Sequence, residues 1–166
     1  PYTVKDEHIV IDTREAADGE NRVTIEFTAN DQSLNRRDEF LYTLLVPDRA
    51  RTLFPCFDQP DMKSLFTLSL EVPSSWQALA NGVVEQVDST SVARRKRISF
   101  RETEPLSTYL FSFVAGKLTR ETYSRDGRNI SIYHRETDPK KVAQCSDIAS
   151  EVFDALEWQE EYTRYC

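Results

Sequence analysis

Glycine, histidine and methionine are all scarce in this chain, with four, two and one among 166 residues. Four glycines, mostly in turn-like contexts, cannot build a phosphate-cradling loop or a dinucleotide fingerprint. The two histidines, His8 and His134, are not part of an H-E-x-x-H, the spacing that sets two imidazoles on one helix face around zinc. Each stands in a charged, strand-like context, where a solvated side chain is a better reading than a metal site shared with Glu136 and a cysteine. Cys56, Cys145 and Cys166 are too few and too scattered for a disulfide framework, and their odd number leaves at least one thiol free. No apolar run approaches the length of a membrane span, and no charged-then-apolar stretch opens the sequence. No compartment can be assigned from it.

Charge and aromatic residues, by contrast, are plentiful. Charged residues make up 30% and apolar ones 39%, and two Trp, seven Tyr and nine Phe argue for a packed core rather than disorder. The length suits one domain, or one domain with part of a second. A formal charge of −7 argues against a nucleic-acid partner, because phosphate contacts want a basic face. The one basic run, Arg94 to Arg97, leads straight into Ile98, Ser99 and Phe100 and reads as a solvated strand edge.

The stretch from Arg51 to Lys63 cannot be regular structure. Pro55 and Pro60 each lack a backbone donor and fix φ, so neither a helix nor a central strand can pass through. Yet Leu53, Phe54, Cys56, Phe57 and Met62 call for burial. A buried irregular segment needs side-chain partners for its backbone, and Arg51, Asp58, Asp61 and Lys63 are at hand. We read it as a knot between strands with Arg51 and Asp58 as its ion pair. Cys56 reads as a small buried hydrophobe. Asp58, Asp61 and Lys63 fit loop-fixing hydrogen bonds better than an acid/base set.

Around the knot the pattern is that of strands. Lys5 to Asp12 opens with one, Arg14 to Asn21 turns, and Val23, Ile25 and Phe27 alternate with polar residues as in a half-wet strand. Asn30 to Asp38 reads as a polar loop, and Phe40 to Val46 as a strand covered on both faces. Phe66 to Val72 alternates again, and Asn81-Gly82 predicts a hairpin between Trp76–Ala80 and Val83–Val87. Strands are expected over Arg95 to Glu102 and Ser107 to Leu118, with a last hairpin at Asp126-Gly127. From Thr137 the texture changes. Asp138 caps a helix with Pro139 at its first position, and Val142, Cys145, Ile148, Ala149, Val152, Phe153 and Leu156 form its apolar stripe. The helix meets no Gly or Pro stop, which points to a continuation in a further domain.

The pattern R-x-x-F-P-C-x-D-x-P-x-x-K-x-x-F, filled by Arg51, Phe54, Pro55, Cys56, Asp58, Pro60, Lys63 and Phe66, resembles the amino-terminal domain of the aminopeptidase N family of zinc aminopeptidases. Ser107-Thr-Tyr-Leu-Phe-Ser-Phe-Val-Ala-Gly116 is similar to the S-T-Y-L-x-x-F-x-x-G strand of that domain, and Leu79 to Gly82 to its S-N-G-type turn. The resemblance covers the chain from about residue 8 to its end. It implies a parent enzyme that removes amino-terminal residues from peptides, with zinc polarising the scissile carbonyl and activating water in a catalytic domain of the same chain. Neither H-E-x-x-H nor the family's G-x-M-E-N is present, so these residues alone are expected to bind no zinc and to be inactive. In many members a Q-x-E pair just before the R-x-x-F-P-C run holds the substrate amine, and those places are Leu44 and Val46 here. Several readings stay open for them. They could wall the first specificity pocket, they could simply continue a strand while the other domain anchors the amine, or the protein could be a non-peptidase relative.

The expected architecture is an all-β domain over residues 1–136, a twisted sheet or β-sandwich of eight or more strands. Residues 137–166 are expected to begin the catalytic domain with its first helix. The function so implied is that of a non-catalytic domain packed on the catalytic one and helping to close its cleft. The rival is a binding or scaffold β-sandwich, or a catalytically dead relative.

Overall fold

A computed structural model describes residues 2–12, 14 and 16–165. Its strands are β1 (Tyr2–Lys5), β2 (His8–Ile11), β3 (Leu34–Arg37), β4 (Phe40–Thr43), β5 (Lys63–Ser64), β6 (Ser69–Pro73), β7 (Gln77–Ala80), β8 (Val84–Ser89), β9 (Arg95–Phe100), β10 (Leu106–Ser107), β11 (Phe113–Gly116), β12 (Thr119–Arg125) and β13 (Arg128–His134). Helices α1 (Pro139–Val142) and α2 (Cys145–Thr163) follow. All ladders are antiparallel: a four-stranded sheet in the order β3-β4-β11-β7, a three-stranded sheet β6-β9-β8, and the pairs β1-β2, β5-β10 and β12-β13. The chain is thus an all-β, sandwich-like domain with a carboxyl-terminal helix.

Two apolar cores lie against the four-stranded sheet. Ala78 and Ala115 face Val72, Ile98 and Phe100 of the three-stranded sheet. Leu34, Leu45, Ala50, Leu53 and Phe111 form the other core, around which Phe54 and Phe66 pack. Phe66 stacks on Phe111 with ring centroids 4.5 Å apart, and Phe54 meets Phe111 edge-on at 5.6 Å. Leu41 and Leu68 touch both cores and make them continuous. Burying each large apolar side chain is worth about 1.5–3 kcal/mol, so these clusters carry most of the fold.

Several expectations need correcting. The opening segment is the hairpin β1–β2, turned by Asp6 and Glu7 at φ of 50° and 64°. Positive φ at both turn residues is the two-residue hairpin geometry, here reached without glycine. Residues 23–28 join no ladder among the described residues; alternation gave them one apolar side, but no described segment supplies a pairing edge. The expected loop at 30–38 contains β3, because buried Leu34 helps fill the core. The expected strand at 40–46 ends at Thr43 and the run is covered on one side only: Thr43 and Leu45 are buried, while Tyr42, Leu44 and Val46 are exposed. The basic run enters the central strand β9 rather than an edge, and Glu71 on the neighbouring β6 lies 3.0 Å from Arg95 and 3.7 Å from Arg97. Ser107 to Leu118 is split by a 3-10 turn at Thr108–Leu110. Cys166 lies outside the described residues, as does Glu15 of the expected turn at 14–21.

Asn81-Gly82 is not a hairpin turn. β7 belongs to the four-stranded sheet and β8 to the three-stranded one, so the chain changes sheets there. The Asn81 side chain fixes the corner, donating to the Leu110 carbonyl at 3.1 Å and accepting the Ser112 N–H at 2.7 Å. Glycine is needed for close approach rather than for positive φ: a Cβ at Gly82 would stand 2.1 Å from the Arg101 carbonyl oxygen.

The helix begins as the sequence predicts, with Asp138 Oδ1 accepting the Lys140 N–H at 2.9 Å and Pro139 in the first turn. Cys145, Ala149 and Phe153 are buried on α2, which packs on the β12–β13 hairpin. Arg125 lies over the Phe153 ring at 4.9 Å and pairs with Asp154, and Arg128 meets Glu160 at 2.9 Å. Of the rest of the stripe, Val142 is half-buried, while Ile148, Val152 and Leu156 are 49%, 40% and 38% exposed. Arg164, at φ 55°, ends the helix.

Replacing Gly82 by Ala should force the Arg101 backbone aside and destabilise the domain by about 1–3 kcal/mol. Thermal unfolding of the variant beside the parent measures this, and an unchanged Tm would remove the close-approach explanation.

Candidate functional site

β4 delivers the chain into the knot. The Arg49 N–H bonds the Leu45 carbonyl at 2.9 Å, and a 3-10 turn over Ala50–Thr52 places Ala50 and Leu53 in the core. Thr52 Oγ1 donates to buried Ser33 Oγ or accepts from it at 2.7 Å, tying the turn to the start of β3. The segment then doubles back so that Asp58 lies under Arg51.

Asp58 is the centre of this arrangement. Its side chain is only 7% exposed, yet it is well supplied with donors. Oδ2 accepts the Arg51 backbone N–H at 3.0 Å and lies 3.6 Å from the Arg51 guanidinium, and Oδ1 accepts the Thr108 hydroxyl at 2.9 Å. Ser107 Oγ donates to the Pro60 carbonyl beside it, and β5 pairs with β10 through Lys63 opposite Ser107. Arg51 also reaches Glu7 at 3.2 Å and Asp48 at 3.4 Å. These carboxylates, Glu7 foremost through its hydrogen bond, raise the Arg51 pKa above its ordinary value.

The structure therefore brings Arg51 and Asp58 together, while Lys63 contributes its backbone to β5 and leaves its side chain exposed. Leu44 and Val46 lie just after β4, 52% and 53% exposed, continuing its alternation from exposed Tyr42. Phe57 and Met62, expected in the core, are exposed, because the chain from Phe57 to Met62 runs along the surface. Thr108 was not singled out by residue type; its signal is its place in the Ser107-Thr108 pair of the second motif. Cys56 is half-buried between the turn and the aromatic cluster. Burial, reinforced by the Asp58 charge and partly offset by Arg51, pushes its thiol up to about 11.

Among the described residues no three His, Cys, Asp or Glu side chains gather as metal ligands. His134 Nδ1 accepts the Glu136 N–H at 3.2 Å, and its Nε2 stands 3.9 Å from Glu121, a pair of side chains rather than a ligand set. The described residues thus present no zinc donor set. Nor is any helix of the described residues long and apolar enough to cross a membrane.

This carboxylate-centred knot, the Asn81-Gly82 corner and the Ser107-Thr108 turn fall within residues 2–110, which match the family described as the Peptidase M1 N-terminal domain. The chain belongs to that family. The M1 domain is 41% identical over 96 residues to "Probable M1 family aminopeptidase 2" of Encephalitozoon cuniculi, covering 57% of this chain and 11% of that protein. It is 32% identical over 112 residues to the glutamyl aminopeptidase of Rattus norvegicus, covering 67% and 12%. Against "Aminopeptidase M1-A" of Oryza sativa the figures are 38% over 93 residues, covering 55% and 10%. The chain thus spans about a tenth of the length of the relatives it matches. M1 family aminopeptidases are in general zinc enzymes.

Asp58→Ala in the M1 domain strips the Arg51 N–H and the Thr108 hydroxyl of their acceptor at once. Urea unfolding should show a loss of about 3 kcal/mol, with Asp58→Asn retaining part of it. Equal stability of the alanine variant would demote Asp58 to an incidental contact. For Cys56, a pKa of about 11 against an ordinary 9.0 leaves the thiol with roughly a hundredfold less thiolate at neutral pH. Its alkylation by iodoacetamide should be correspondingly slow and climb only as pH approaches 11; a rate matching a free thiol at pH 7.5 would contradict the burial argument. Because its folded-state pKa is raised, Cys56 contributes stability that is complete below pH 9.0 and fades as pH rises toward about 11.

Proposed function

We propose that this chain is the non-catalytic amino-terminal domain of a zinc-dependent aminopeptidase, and that the catalytic domain of the same polypeptide supplies zinc, water activation and most of the substrate grip. The observation that carries the reading is the M1 family match, together with relatives that are named aminopeptidases and are about nine times longer than the matched stretch. In this reading residues 1–136 form the β domain and residues 137–166 open the catalytic domain. The uncovered row of Ile148, Val152 and Leu156 supports it, because an amphipathic helix with one flank packed and the next bare has a second surface to bury. The domain packs on its catalytic partner and helps to close the cleft over the amino end of a peptide.

Leu44 and Val46 fit this picture as apolar wall residues at the cleft, where the resemblance places a Q-x-E pair in other members. Their apolar character also favours the second reading, a catalytically dead relative or a scaffold, since neither side chain can hold a substrate amine.

The test is the parent protein, extended beyond Cys166, assayed on a panel of aminoacyl reporters. Release of amino-terminal residues that a chelator abolishes and added zinc restores is expected. A folded parent with no such activity would establish the scaffold reading instead.

A further inference from the structure

His134 closes β13, directly before the link into the helices. The sequence suggests a solvated ring, but the side chain is 13% exposed. Its Nε2 is shut away from solvent and has no hydrogen-bond partner among the described residues. Nδ1 faces the link and accepts the Glu136 N–H at 3.2 Å. A backbone amide can only donate, so Nδ1 holds the lone pair and Nε2 carries the single proton of a neutral ring. The Glu121 carboxylate of β12 stands 3.9 Å from Nε2, beyond hydrogen-bond range. A second proton therefore has one place to go. It must sit on Nδ1, where it meets the Glu136 N–H head-on, two donors with no acceptor between them. Ring protonation and the Glu136 bond exclude each other, and an imidazolium gains Glu121 as its counter-charge.

We propose that His134 is a pH-sensitive latch on the hinge between the β12–β13 hairpin and the helices. Neutral, the ring holds residues 135–138 through the Glu136 N–H; protonated, it turns to Glu121 and frees that link and α1. α2 stays docked in both states, because Cys145, Ala149 and Phe153 are buried beneath it and Arg125 pairs with Asp154. The neighbouring groups keep their charge in mild acid. Glu136 turns its carboxylate back to the Asp138 and Thr137 N–H groups and to Lys141 at 3.4 Å. Those bonds, the Asp138 one foremost, hold it below the usual carboxylate range, so its contribution is complete above pH 4.5. Tyr123, beside Glu121 on the same face of β12, is raised by burial and then by Cys145, Glu121 and Asp147, and keeps its proton. The helices thus bring Cys145, Asp147 and Lys141 to this corner, while Arg135 is occupied over the Phe40 ring at 3.7 Å. A single neutral hydrogen bond biases an equilibrium by about tenfold or less, which sets the size of the switch.

Amide hydrogen exchange on the full-length protein at about pH 7.5 and about pH 5, on either side of ordinary imidazole titration, reads the latch directly. Each protection factor is referred to the unstructured rate at its own pH. Protection of the Glu136 amide and of amides 140–143 should fall about fivefold or more on acidification while β9 is unchanged. His134→Asn keeps an acceptor where Nδ1 stands but takes no proton, so its protection should be the same at both pH values. His8→Asn, at an exposed ring bonded to the Asp6 carbonyl of its own turn, should behave as the parent. If His134→Asn is unprotected at both pH values, Glu121→Gln decides: removing the anion that receives the charged ring should shrink the acid effect. Equal protection of the parent at both pH values, an acid effect that survives in His134→Asn, one that Glu121→Gln leaves unchanged, or one that spreads to β9 as general unfolding would each overturn the proposal. Peptidase activity enters none of these readouts, so failure here and failure of the aminopeptidase reading are told apart.

Discussion

A carboxylate taken out of water must be surrounded by donors, and Asp58 meets that requirement with groups from two distant parts of the chain. The Arg51 backbone N–H comes from seven residues away and the Thr108 hydroxyl from fifty. Between these anchors lie a proline-interrupted segment with no regular hydrogen bonding and the first of the two cores. Removing either donor would leave a buried charge with too few partners, which is why the knot, the 3-10 turn at Thr108–Leu110 and the β5–β10 pair form one unit. The same geometry explains why the strand expected from Ser107 onward breaks: Thr108 has to turn toward Asp58 before the chain can resume as β11.

The second organising device is the corner at Asn81-Gly82. By passing from the four-stranded to the three-stranded sheet there, the chain ties the two layers covalently at the point where Asn81 clamps Leu110 and Ser112. Leu41 and Leu68 then carry packing from one core to the other. The three sequence motifs are therefore not three sites. They are the three walls of one junction, joined where Asp58 and Asn81 both reach the turn that starts at Thr108.

Much of this was legible in the residues and some was not, for reasons that can be named. Proline spacing and apolar content marked the knot, and the Arg51 and Asp58 side chains meet in it. Asp138 and Pro139 marked the helix start, and Asp126-Gly127 the last hairpin, at φ of 50° and 79°. Period-two alternation was less secure, since it reports an apolar side and not a partner: residues 23–28 have the pattern without the ladder. Asn-Gly misled because two physical demands select the same dipeptide, positive φ in a hairpin and absence of a Cβ where backbones touch. Only the Arg101 carbonyl beside Gly82 tells them apart. The site was half-visible. Leu44 and Val46 were singled out by the resemblance alone, and their exposure depends on which side of the chain leaving β4 meets the core, which a run apolar at nearly every residue does not say.

The distance along the chain between Asp58 and Thr108 also sets an order of events. During synthesis the ribosome releases Phe54, Phe66 and the buried carboxylate well before the segment that covers them, so the first core cannot close on the amino-terminal half alone. Phe111, the ring on which Phe54 and Phe66 pack, arrives later still. Until then the nascent chain displays unsatisfied aromatic surface, the condition that recruits chaperones, and the four-stranded sheet closes only when β11, paired with both β4 and β7, has emerged.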